Sequence, residues 1–413
     1  MLHFLADLEN LQPAKLSSDE LAVLEFLAAR GVVNGRTVYA PRYEPRGELD
    51  PDKLTLFPSN NCNLNCQYCY AADAHVSAQT MDWKIAVSAV DYFIDYLRKH
   101  DRQLFQLELH GGGEPFYAWS LVQGIVGYAE ERCQQEGLTL EVYAASNGML
   151  NDNQLCWITE HLQSLNVSFD GLPQVQNFHR QTVQNNGSFE RVDQTLKFFD
   201  EHRFRYAIRC TVSSFNENLL EETVEFILQN YRTNLLILEP VYVCGSCLPV
   251  VQNLKPDLYK FVEGFKILEP LCAQKGVLLE YSGASFEKIA PVFCYVGSDN
   301  FAVTPDGYLT NCWEVTSKQH PLSEHFIFGR VLADGRLEVD REKLNHLRSL
   351  SVHNLEYCRD CFARWHCAGD CVTRLGHHQF DGARGGERCE TNRQIIAHRI
   401  RQMFERDNFL QGI

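Results

Sequence analysis

No stretch of this 413-residue chain approaches roughly 18 uninterrupted apolar residues, so no membrane-spanning helix is expected. Basic residues are in deficit: 38 Lys and Arg stand against 53 Asp and Glu, a formal charge of -15. Phosphate backbones would be repelled unless a local basic stripe compensated, and none is present. The Arg-containing stretch 394–406 includes Glu405 and ends against Asp407. A nucleic-acid partner is therefore not expected, and a cationic peptide segment is electrostatically easier. The opening residues lack a basic region followed by a long apolar run, so a secretory signal is not expected. No solenoid-length repeat or low-complexity segment occurs. The run His110-Gly111-Gly112-Gly113 has the form of an esterase oxyanion loop, but no Gly-x-Ser-x-Gly elbow accompanies it. No Gly-x-Gly-x-x-Gly follows a strand, which removes a Rossmann reading.

Cysteine, by contrast, is abundant: the chain has 16. With a cytoplasmic location expected, disulfides are disfavoured and metal ligation is the better use of so many thiols. The length suits two or three domains, and 45% apolar with 22% charged residues suits globular cores.

Apolar strand-like runs alternate with amphipathic helical patterns from 53 to about 240. Strands are expected at 53–57, 105–109, 139–144, 165–168, 206–212 and 235–239. Helices are expected at 81–99, 119–135, 152–162, 189–202 and 217–230. Such alternation implies a parallel sheet, doubly wound or a partial barrel, with chemistry at the carboxyl ends of its strands. A further helix is expected at 256–275. After about 290 the alternation is expected to stop and loops to dominate, apart from a hairpin of 301–304 and 308–311 turned by Pro305-Asp306-Gly307. A last helix is expected at about 390–407. Upstream, Ser17 and Glu20 form a capping box for a short helix over 17–30, and Gly31 stops it.

The first expected strand is followed by Cys62-x3-Cys66-x2-Cys69. Three thiolates on one loop can hold three corners of a [4Fe–4S] cube and leave one iron without a protein ligand, open to a small molecule. Three buried structural cysteines are the blander alternative. A second set comprises Cys294 and Cys312, then Cys358-x2-Cys361-x5-Cys367-x3-Cys371, and finally Cys389. Taken alone, that run also fits a zinc knot. Cys133, Cys156, Cys210 and Cys272 read as ordinary buried cysteines.

The Cys62/Cys66/Cys69 triplet, with Tyr68 inside it, resembles the cluster loop of the radical S-adenosylmethionine (SAM) superfamily. His110-Gly111-Gly112-Gly113-Glu114-Pro115 after the second expected strand is similar to that superfamily's glycine-glycine-glutamate-proline motif. The resemblance implies that Gly111, Gly112, Gly113 and Glu114 hold the methionine amino group of SAM. It further implies that Ser146, Asn147, Ser168, Asp170 and Arg180 serve its ribose and carboxylate, with Thr211 on the adenine side. The later cysteines, with Gly307 between Cys294 and Cys312, resemble the SPASM extension of radical SAM enzymes.

That resemblance assigns Cys358, Cys361, Cys367 and Cys389 to one auxiliary [4Fe–4S] cluster. It gives Cys294, Cys312 and Cys371 to a second, whose fourth corner is unassigned: Cys244 or Cys247 could supply it, line the substrate pocket or be structural or free thiols, and otherwise the corner is open to substrate. The implied architecture is an α/β partial (β/α)6 barrel with a loop-rich C-terminal SPASM domain and a small N-terminal winged-helix-like segment. Its parts are 1–50 (possible leader-peptide recognition), 51–245 (core), 246–290 (bridge) and 291–413 (SPASM region and last helix).

The implied activity is reductive cleavage of SAM and hydrogen abstraction from a peptide or protein side chain, in maturation of a ribosomally made peptide. A flavodoxin- or ferredoxin-type electron donor is implied, and three clusters in all. Anaerobic sulfatase maturation is the second reading. It is weakened because that group places Asp directly after the hairpin cysteine, where Trp313 and Glu314 follow Cys312. A non-catalytic iron–sulfur carrier is the third. Glu239, Glu314 and Asp370 are the candidate bases.

Overall fold

The computed structural model describes residues 17–18, 21–22, 24–25, 47–71, 76–242, 249–286, 289–332, 334–373 and 386–406. Most of the helix expected over 17–30, together with Cys244 and Cys247, lies outside the described residues.

In chain order the strands are β1 (Leu54–Leu56), β2 (Leu64–Cys66), β3 (Leu104–Leu109), β4 (Thr139–Ser146), β5 (Ser164–Ser168), β6 (Arg180–Thr182), β7 (Tyr206–Val212), β8 (Leu235–Pro240), β9 (Leu278–Glu280), β10 (Phe301–Val303), β11 (Tyr308–Thr310), β12 (Ile327–Val331) and β13 (Leu337–Val339). The principal helices are α1 (Trp83–Lys99), α2 (Trp119–Glu136), α3 (Asp152–His161), α4 (Pro173–His179), α5 (Phe189–Glu201), α6 (Leu220–Asn230), α7 (Leu258–Gln274), α8 (Arg341–Arg348) and α9 (Glu387–Arg406).

Local sequence explains the helix starts. The Asp82 carboxylate accepts from Lys84 N at 2.8 Å and begins α1. Asn151 and Gln154 cap α3 reciprocally. Asp257 accepts from Tyr259 N and begins α7. Helix α1 lays an apolar face of Ala86, Val90, Phe93 and Leu97 on the sheet.

Eleven strands form one sheet in the order β13-β12-β11-β10-β1-β3-β4-β5-β7-β8-β9. From β10 through β1 to β9 every pairing is parallel. This is the expected partial barrel: β9 and β13 end the sheet, and among the described residues no pairing joins them. In parallel β/α units the helical crossovers send every strand's carboxyl end to the same side.

The C-terminal hairpin forms as expected, and it also joins the core sheet, which the sequence had not indicated. β10 pairs with β1 in parallel, Leu54 opposite Phe301, and β11, β12 and β13 continue the sheet antiparallel. The Asn300 side chain accepts from Asp52 N at 2.8 Å at the start of that pairing. The loop-rich region thus begins as an extension of the core sheet, because Phe301, Ala302 and Val303 bury fully against it. Among the described residues, no helix is long and apolar enough to cross a membrane.

Candidate functional site: a cysteine loop at the strand ends

The chain leaves β1 and turns directly into the cysteine loop, which two short strands then hold. Cys66 at the end of β2 lies opposite Arg180 in β6. Two backbone bonds stitch the glycine loop after β3 to this segment: Gly113 N donates to Ser59 O (3.2 Å) and Glu114 N to Asn61 O (2.8 Å). The approach is so close that a Cβ on Gly113 would lie 2.1 Å from Asn61 O. Only glycine fits there.

Glu114 is buried, and its carboxylate accepts from Asn147 N (2.7 Å), Ser146 Oγ (2.9 Å) and Phe116 N (3.3 Å). Burial pushes it up to about 7 against these three donors. Asn147 in turn donates to Asn63 Oδ1 (2.7 Å) and reaches Cys62 Sγ at 3.6 Å. One chain of contacts therefore runs from the glycine loop through the end of β4 to the first cysteine.

Asp170, just past β5, is a second centre. Its carboxylate accepts from Tyr68 OH (2.6 Å), His179 Nδ1 (3.1 Å), Arg180 Nε (2.9 Å) and Nη2 (3.3 Å), and Thr211 N (2.8 Å). Burial alone would raise this carboxyl, but Arg180 and His179 outweigh it and hold it well below the usual range. His179 Nε2 also meets Ser213 Oγ at 2.7 Å, giving a Ser–His–Asp order. All three side chains are fully buried, so this is a structural relay and no nucleophile. Arg180 also reaches Thr211 Oγ1 at 3.4 Å and lies over the Tyr68 ring. Ser168 closes β5 opposite Arg209 of β7.

The three thiols sense one another's charge, and burial pushes Cys62 up to about 11 and Cys66 to about 12, with Arg180 opposing the latter. Thiolates here require a compensating cation. Leu64 N donates to Cys62 Sγ at 3.4 Å. Shared thiols, N–H donors aimed at sulfur and an adjacent guanidinium fit an iron–sulfur cluster. Among the described residues, no three His, Cys, Asp or Glu side chains converge at the distance of a single metal ion.

Residues 56–227 match the family model described as the radical SAM superfamily. The chain carries a radical SAM domain. It is similar to the radical SAM cyclopropyl synthase TigE of Paramaledivibacter caminithermalis, 23% identical over 227 residues, covering 50% of this chain and 46% of that protein. It is also similar to the cysteine-type anaerobic sulfatase-maturating enzyme of Clostridium perfringens, 21% identical over 237 residues and 55% of each chain. The chain thus spans about half the length of these curated relatives. Among solved structures, anSMEcpe with bound AdoMet superposes with a TM-score of 0.71 at 17% identity, covering 87% of this chain and 96% of that one. That likeness establishes a shared fold.

Beyond the radical SAM domain, the structure draws the later cysteines into two groups. Cys312 lies within the electrostatic reach of Cys371 and Cys294. Cys358 senses Cys361 and Cys389, and Cys367 senses Cys389 and Cys358. Ala368, Gly369 and Asp370, between Cys367 and Cys371, all take positive φ (52°, 82° and 61°), curling the backbone from one group to the other.

The loop after Cys312 docks on the radical SAM domain. Thr316 O accepts from Asn60 Nδ2 at 3.3 Å, and a Cβ on Gly112 would meet Thr316 Cγ2 at 2.5 Å. Trp313 packs against Phe57, His110 and Tyr295. Of the four remaining cysteines expected to be buried, Cys133, Cys210 and Cys272 are; Cys156 is exposed, on the face of α3 opposite the core residues Leu155 and Ile158.

The candidate bases differ in setting. Asp370 is spent: Oδ1 accepts from Cys371 N at 2.7 Å, and Oδ2 accepts from Asn392 Nδ2 at 3.0 Å and from Arg388 Nε. Glu239, at the carboxyl end of β8, accepts from Ser282 N at 2.9 Å and stands 3.9 Å from Arg209. Glu314 is buried two residues beyond Cys312, to which it donates its backbone N–H. Arg388, Asn392, Tyr242 and Tyr281 surround Asp370 without belonging to any motif. Asn392 alone had a sequence signal: it follows Cys389 by one helical turn.

Proposed function

We propose that this chain is a radical SAM enzyme that modifies a side chain in a peptide or protein, in the maturation of a ribosomally made peptide. When bound, the cluster at Cys62, Cys66 and Cys69 and its SAM supply reductive cleavage to a 5′-deoxyadenosyl radical that takes a hydrogen atom from substrate. The observation that carries this reading is the Glu114–Asn147–Cys62 chain of contacts, which locks the glycine loop, the β4 end and the cysteine loop into one surface.

On that surface the residues divide their work. Gly111, Gly112 and Gly113 present bare backbone, while Glu114 and Ser146 hold that backbone in place. Asp170 orients Arg180 and Tyr68, and these residues together would hold SAM. Glu239 sits at the strand ends where substrate enters and is the preferred base. Cys358, Cys361, Cys367 and Cys389, and separately Cys294, Cys312 and Cys371, would hold two auxiliary clusters that take up the substrate's surplus electron. A flavodoxin- or ferredoxin-type protein would deliver the starting electron.

A peptide substrate is supported by a further structure of anSMEcpe, which holds AdoMet and the Cp18Cys peptide. Anaerobic sulfatase maturation is the second reading, favoured by the similarity to the C. perfringens enzyme. Trp313 occupies the place after Cys312 and is packed among aromatic rings, which disfavours it.

Anaerobic reconstitution with iron and sulfide, then dithionite and SAM, tests the proposal. Formation of 5′-deoxyadenosine, lost in Cys66→Ala, is the expected result. No 5′-deoxyadenosine from fully loaded protein overturns it. Turnover of a sulfatase-derived peptide would select the second reading.

A further inference from the structure

A buried polar network joins the ends of β8 and β9 to Cys367, and no motif accounts for it. Tyr242 OH and Tyr281 OH are 2.8 Å apart. Tyr281 OH donates to Asn392 Oδ1 at 2.8 Å. Asn392 Nδ2 donates to Asp370 Oδ2 at 3.0 Å and to Cys367 Sγ at 3.2 Å. Asn392 is 1% exposed, Tyr281 0% and Asp370 2%.

The network leaves the amide one orientation. Tyr281 occupies its oxygen as a donor, and Asp370 accepts on the nitrogen side. Turning the amide over would set its oxygen against the Asp370 carboxylate. Asp370 cannot yield, because Arg388 Nε and Cys371 N hold it on its other sides. Gly283 makes the close packing possible: a Cβ there would lie 2.3 Å from Asn392 Oδ1 and 2.6 Å from the Tyr281 hydroxyl. Among the described residues, Asn392 is the one side chain donating to any of the Cys358, Cys361, Cys367 and Cys389 sulfurs.

We propose that Asn392 sets the reduction potential of the iron–sulfur centre that Cys358, Cys361, Cys367 and Cys389 would hold, by donating a fixed amide N–H to the Cys367 sulfur. The inference rests on the auxiliary-cluster reading above. A hydrogen bond donated to a ligating sulfur draws off electron density and favours the reduced state, where the sulfur carries more charge. The amide is a positioning and tuning group, and the tyrosine pair keeps it aimed.

The test uses the full chain with Cys62, Cys66 and Cys69 all changed to Ala, so that only the C-terminal centres remain. Their potentials are read by EPR-monitored redox titration, with iron counted for every variant. Asn392→Leu is expected to shift one centre to a more negative potential at unchanged iron content, and Tyr281→Phe to shift it in the same sense by less. Unmoved potentials in both variants, with iron retained, overturn the proposal while leaving the auxiliary clusters in place. A Cys-to-Ala parent that holds no iron overturns the cluster reading and the proposal with it. If Asn392→Leu does not fold, Tyr281→Phe decides alone.

Discussion

Asp170 and Glu114 are both buried carboxylates, and their surroundings drive them in opposite directions. Asp170 faces the Arg180 guanidinium; Glu114 faces only neutral donors. Changing Asp170 to Asn leaves the Arg180 charge buried without its partner, and such breaks typically cost about 3–5 kcal/mol. Chemical denaturation of the cluster-free chain should show a loss of that order.

Glu114 gives a pH signature. Its folded value, about 7, lies above its ordinary 4.5, so between these values the folded chain binds more protons than the unfolded one. Its contribution is therefore complete below pH 4.5, declines as pH rises, and is lost above 7. Glu114→Gln should flatten that part of the stability profile of the cluster-free protein, measured by denaturant midpoints across pH. Neither environment was legible in the sequence. The Asp170 partners Tyr68, the adjacent His179 and Arg180, and Thr211 come from three segments that only the fold assembles. The grouping of the cysteines, by contrast, shows in the sequence because Cys62, Cys66 and Cys69 keep short spacings.

Among the elements, the long strands and helices followed from their apolar periodicity, and β7 (Tyr206–Val212) falls at its expected limits. The three-residue strands β2 and β6 did not, since so short a segment carries no period. They matter most for the site, because their pairing sets Cys66 against Arg180. The glycine loop is similarly constrained by contact. Ala at Gly113 would force a Cβ into the backbone of Asn61, and an overpacking cost of about 1–3 kcal/mol predicts a roughly ten- to hundredfold loss of SAM affinity. Equilibrium binding of SAM to reconstituted protein checks this. An unchanged affinity would mean that the two loops separate without penalty.

For the whole molecule, α9 ties the end of the described chain back to the core. Arg399 donates to Glu269 (2.6 Å), Ala284 O (2.7 Å) and Leu279 O (2.7 Å), and all of it is nearly buried. Arg399→Ala leaves two carbonyls without this donor and Glu269 to His398, for an expected loss of about 3–5 kcal/mol seen as a lowered thermal midpoint. Because α9 also carries Cys389, the same variant should lose iron from the C-terminal centres before the Cys62 loop does.

The seam between β1 and β10 has a consequence for how the chain is made. Lys53 and Asn300, bonded across its start, are 247 residues apart. Contacts so distant in sequence close late, after a large loss of chain entropy. On the ribosome, β1 must wait as an unpaired flank of the growing sheet until the hairpin emerges. The cysteine loop it carries stays uncovered for the same interval, so the cluster we propose at Cys62, Cys66 and Cys69 would have its widest access before synthesis ends.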